Sequence, residues 1–139
     1  MTNMKVIKTI YHRIRLNPLH TILGSLMIVL GIVLLINDSF FYWPPEWQWF
    51  FNNDLVDAFA IITGTGLIAF VLIGGQDQLA NAVLLSLSAF FLTVIAVLAV
   101  GHSIVFHDAW QLIVAILLIG FLLIIQYLAT HSNTVKRRK

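Results

Sequence analysis

The residues that could do acid–base or metal chemistry are few. Asp54 and Asp57 stand three apart just after an aromatic stretch, and His102 and His107 precede Asp108 by a few positions. His20 lies alone at the start of a long apolar run, and Ser86, Ser88 and Ser103 are scattered through others. Two carboxylates three apart can share a cation or a proton. The same pair at the start of a helix caps it and complements the positive end of its dipole, which is the reading adopted for Asp54 and Asp57. A zinc-type site needs three or four converging ligands, and the two histidines with Asp108 bring no further cluster. None of the serines has a base and an orienting acid beside it in sequence, so no hydrolase triad is expected. Gly64-Thr65-Gly66 lies inside an apolar run and belongs to helix packing rather than to a phosphate loop. With no cysteine in the chain, thiol chemistry, disulfides and thiolate metal sites are excluded. No catalytic residue, cofactor or metal is therefore expected, and the chain reads as a non-enzyme.

The elements that carry these residues are made of hydrocarbon. Of 139 residues 60% are hydrophobic and only 10% charged, whereas a soluble domain carries about a quarter charged residues. Four long runs lack any Lys or Arg. Pro18 to Ile36 follows Asn17-Pro18, a good N-cap with proline at the first helical position. At about 1.5 Å per residue it reaches roughly 28 Å, close to the thickness of a bilayer's hydrocarbon. A second run extends from Leu55 to Ile73, with Asp54 expected as its cap, and Gly74-Gly75 closes it. The short turn through Gln76-Asp77 makes spans two and three an antiparallel hairpin. Span three is expected over 78–100, closed by Gly101, with 101–107 as a loop. Span four is expected over 109–129, with Asp108 and Gln111 in a capping-box pattern. The predicted fold is all-α: an integral membrane four-helix bundle forming one domain.

Between spans one and two lies NDSFFYWPPEWQWFFNND, residues 37–54. Three of the four tryptophans, Trp43, Trp47 and Trp49, fall here, and Trp110 opens span four. Such rings favour the membrane–water interface, where one edge stays wet. They read as interface anchors; a groove for a partner or carbohydrate is the alternative. Pro44-Pro45 can open a short helix through Phe51.

All eight Lys and Arg residues lie at the two ends: Lys5, Lys8, Arg13 and Arg15, then Lys136 to Lys139. Met4, Ile7, Ile10, Tyr11 and Ile14 recur at helical spacing opposite Lys5, Lys8, His12 and Arg15, which predicts a basic amphipathic helix lying in the interface. The basic start and apolar run also suit a signal peptide, but the run is long for one, and it reads as a retained span. Basic residues at both ends place both termini in the cytoplasm of a multi-pass cell-membrane protein, which an even number of spans allows. The charge suits anionic lipid rather than nucleic acid.

Small residues supply the remaining signal. Ala82, Ser86, Ala89, Thr93 and Ala96 alternate steps of four and three along span three; Ala60 and Gly64 are four apart in span two, and span one offers Thr21, Gly24 and Gly31. Such seams let helices approach closely in lipid, either within one bundle or between copies. Span four has almost none and should face lipid. Small size, several uncharged spans, small-residue seams and a short basic tail together resemble the architecture of phage holins. That resemblance implies a homo-oligomer that permeabilises the membrane; the alternative is an accessory subunit that binds another membrane protein or a lipid.

Overall fold

The computed structural model describes residues 2–37 and 40–132. The basic stretch Lys136–Lys139 and Asp38 lie outside the described residues. Six helices follow one another: α1 (Thr2–Leu16), α2 (Pro18–Ile36), α3 (Gln48–Phe51), α4 (Asp54–Ile73), α5 (Gln78–Phe106) and α6 (Ala109–Ser132), with a 3-10 turn at Pro45–Trp47 leading into α3. Four of them, α2, α4, α5 and α6, are long and apolar enough to cross a membrane. The chain is an all-α four-helix bundle and a multi-pass membrane protein.

Local chemistry sets most boundaries. Pro18 starts α2 at its first helical position, where the missing N–H is no loss. Asn53, not Asp54, caps α4: its side chain accepts from the Leu55 N–H at 2.9 Å. Asp54 becomes the first helical residue and still favours the helix dipole. Gly74, at φ 107°, ends α4 in the left-handed conformation that glycine adopts without a Cβ clash. Asp77 then caps α5 by accepting from Leu79 and Ala80, and Asp108 caps α6 by accepting from the Trp110 N–H.

Span three differs from expectation. α5 does not stop before Gly101 but runs on to Phe106, and His107, at φ 55°, is its cap. Residues 101–106 are helix rather than loop. Gly101 serves a different need: a Cβ there would lie 2.4 Å from Cζ3 of Trp43. The glycine makes room for an indole ring laid across α5.

The bundle consists of two antiparallel hairpins, α2 with α4 and α5 with α6. Contacts between the hairpins are sparser than those within them. The shared core runs through Leu23, Met27, Leu67, Leu92 and Ile95, all at most 2% exposed. α6 packs chiefly on α5 and is the least buried span, with 17% of its apolar window inside the protein against 33–44% for the other three.

Candidate functional site

The closest helix contact is made by glycines. α2 and α4 approach so tightly at Gly24 and Gly64 that a Cβ on Gly64 would meet the Gly24 carbonyl oxygen at 2.6 Å and the Ile28 nitrogen at 2.9 Å. About two turns along, a Cβ on Gly31 would meet the Asp57 carbonyl at 2.7 Å. Ala60, fully buried, lies on the same face of α4. Without a hydrophobic effect between lipid-embedded helices, such backbone proximity gains dispersion over a long contact. Asp57 itself is buried in the first turn of α4 and 3% exposed.

A polar pair ties the hairpins together. His20 Nε2–H donates to Asn81 Oδ1 at 2.8 Å, with both residues buried and the Phe70 ring 5.8 Å from the imidazole. His20 comes from the first turn of α2 and Asn81 from the first turn of α5. Nearby, Arg13 of α1 donates to the Leu72 carbonyl in the last turn of α4, where helix carbonyls lack intrahelical partners and a cation is favoured. The amphipathic helix is thereby fastened to the second span. Removing Asn81 leaves the His20 N–H buried without its acceptor. Asn81→Ala should lower stability by about 1 kcal/mol, within the range of about 0.6–2 kcal/mol found for interhelical bonds in membranes. The check is reversible unfolding in mixed micelles with a double-variant cycle. His20→Ala combined with Asn81→Ala should lose less than the sum of the two single changes, and strict additivity would refute the coupling.

At the opposite end the aromatic stretch is held to the bundle. The Asn52 carboxamide accepts from the Phe41 N–H and donates to the Phe41 carbonyl, both at 3.0 Å. Phe41 is 5% exposed, and Phe40, Phe51 and Phe41 form a run of ring contacts. Of the four expected anchors, Trp43 is half-buried against α5 at Gly101, whereas Trp47, Trp49 and Trp110 are exposed at 57%, 74% and 76%. Trp43 thus acts as an internal strut, because the extra length of α5 gives its ring a wall to pack on.

The small residues of α5 take an unexpected place. The face of α5 turned to the bundle centre is Asn81, Leu85, Ser88, Leu92, Ile95 and Ala99. Ala82, Ser86 and Thr93 are exposed, Ala89 is half-buried and only Ala96 is buried. They floor a furrow whose far wall is α6. One hollow of about 270 Å³ lies over Ala82, Ser86 and Ala89 against Ile125 and Ala129. A second of about 250 Å³ lies over Thr93 and Ala96 against Ile119 and Leu122.

The His102 ring lies tilted against that of Phe106, 4.6 Å between centroids, within α5, and His107 is the helix cap. No group of three or more metal-ligating side chains occurs among the described residues. The Ser88 and Thr93 hydroxyls donate to carbonyls four residues back in their own helix. The contacts described are those of helix packing and of hydrogen bonds between helices. The polar pairing of His20 with Asn81 had a sequence signal, since a polar residue sits in the first turn of each span. The Arg13 and Asn52 contacts had none, because each reaches a backbone group remote in sequence. No family model, curated protein or solved structure matches the chain.

Proposed function

We infer that the chain is a non-enzymatic protein of the cell membrane that assembles with copies of itself and permeabilises the bilayer, as phage holins do. One observation carries the reading: the small-residue face of α5 is left open beside an α6 that is packed on one side only. A furrow floored by alanine, serine and threonine admits a neighbouring helix to close range, and hydroxyls at Ser86 and Thr93 add polar points along it. Both termini are assigned to the cytoplasm on the basic residues at Lys5, Lys8, Arg13 and Arg15 and at Lys136–Lys139. The same open side would also seat a different membrane protein, which makes an accessory subunit the competing reading.

The test is membrane potential, followed with a voltage-sensitive dye during controlled bacterial expression. The expected result is an abrupt collapse that is lost when Ser86→Leu and Ala89→Leu fill the furrow, at equal levels of inserted protein. A steady potential at high expression of the natural chain removes permeabilisation. Purification of the chain with a larger partner and without self-association would then favour the accessory subunit.

A further inference from the structure

A second feature lies apart from the α5–α6 furrow. α4 and α5 follow one another in the chain yet touch far less than either touches its hairpin partner. Where they part, near the start of α4, they leave a cavity of about 400 Å³. Phe50 and Phe51 of α3 border it, together with Leu55 and Phe59 of α4 and Phe91 and Val94 of α5. Every side chain lining it is apolar. We propose that this cavity is a binding site for a single hydrocarbon chain, an acyl chain of a membrane phospholipid that enters sideways between α4 and α5 from the leaflet on the aromatic side.

Four observations select that occupant. First, the lining offers no hydrogen-bond partner, so each polar group placed there would lose its water for nothing, at about 2–7 kcal/mol. Sugars, peptides and head groups are excluded on that ground. Second, protein interiors hold few voids larger than a water molecule, and a space this large is of the order of ligand pockets, about 300–1,000 Å³. Third, the cavity has an open side. Leu55 and Phe90 on its border are 78% and 67% exposed, and both lie on spans that cross the bilayer, so the solvent at that opening is hydrocarbon. Fourth, the aromatic border is held in place. Phe51 packs on Phe41, whose backbone is clamped by Asn52, and the Phe59 ring sits 5.8 Å from Phe91. A pre-formed slot lined by fixed rings loses little order when a chain fills it.

The full chain is reconstituted in phosphatidylglycerol and phosphatidylethanolamine vesicles with a trace of phosphatidylcholine carrying a diazirine midway along one acyl chain. After illumination, the labelled residues are mapped by mass spectrometry. Label is expected to concentrate several-fold on Phe59, Phe91 and Val94 over the exposed Val29, Ile32 and Val33 of α2. Val94→Trp fills the cavity and should remove that excess. Leu55→Trp narrows the exposed mouth without entering the core, and it should do the same if Val94→Trp fails to fold. Ile22→Trp, exposed on α2 and outside both the cavity and the furrow, should leave the excess unchanged. Excess unlabelled phosphatidylcholine should displace the label, while excess glycerophosphocholine, the same head group without acyl chains, should not. Uniform labelling, an excess that survives both filling variants, or displacement by glycerophosphocholine each overturns the assignment. None of these outcomes depends on whether the chain self-assembles, so the permeabilisation reading stands or falls separately.

Discussion

Gly64→Ala should separate α2 from α4 and unfold the bundle at markedly lower denaturant. The added methyl would sit 2.6 Å from the Gly24 carbonyl and 2.9 Å from the Ile28 nitrogen, both of them backbone atoms. No rotamer change relieves such a contact, so the two helices must move apart along much of their crossing. Overpacking of this kind costs about 1–3 kcal/mol and sometimes more. The upper end is expected here, because Gly24, Gly31 and Ala60 all depend on the same approach. Unfolding in mixed micelles, followed by circular dichroism, provides the measurement. Gly120→Ala is the matched control, since nothing lies within 4 Å of a Cβ at that position on α6. Equal unfolding of the two variants would show that α2 and α4 do not meet through these glycines.

Gly101→Ala should release the aromatic stretch while leaving the helices assembled. Its methyl would lie 2.4 Å from the Trp43 ring. An indole is rigid, so the ring must swing away as a unit and draw neighbouring Phe41 and its two bonds to Asn52 with it. A loss of about 1–3 kcal/mol, confined to this end, follows from the clash and from unmaking those bonds. Tryptophan emission should shift to the red, and quenching by a water-soluble quencher should rise. Trp43→Ala removes the ring, so adding Gly101→Ala to that background should cost little. If Gly101→Ala is as harmful without the ring as with it, the strut is not what the glycine serves.

How much of this was legible beforehand depends on whether the cause is local. Pro18 and Gly74 mark helix ends by their own backbone chemistry, and α2 and α4 begin and end within one residue of their predicted limits. Gly101 reads like Gly74 but serves a ring 58 positions away in the chain, and the Gly75-Gln76-Asp77 that follows Gly74 has no counterpart after Gly101. The small residues of α5 show a deeper limit. Two stripes run along that helix, Asn81–Leu85–Ser88–Leu92 and Ala82–Ser86–Ala89–Thr93, one residue out of step. In water the polarity of the outer face would tell them apart. In hydrocarbon the outside is as apolar as the core, so periodicity reveals a face without saying what it meets. The furrow with α6 became visible only with the partner in place. The pairing of Gly24 with Gly64 was hidden for the same reason: each helix displayed a small surface, and nothing in either named the other.

The unequal lengths of the hairpins have a consequence for the membrane itself. α5 spans about 43 Å and α6 about 36 Å, against about 28 Å and 30 Å for α2 and α4. Lipid beside α2 and α4 meets a hydrophobic wall near its resting thickness, while lipid beside α5 and α6 meets a taller one. Tilt absorbs part of that difference, and the bilayer must stretch to cover the rest, at a fraction of a kcal/mol for each ångström. A mismatch of that kind would thicken the bilayer on one flank only. A neighbouring protein that met such a flank would share its thickened lipid, so the length of α5 and α6 bears on lateral packing in the bilayer as well as on the fold.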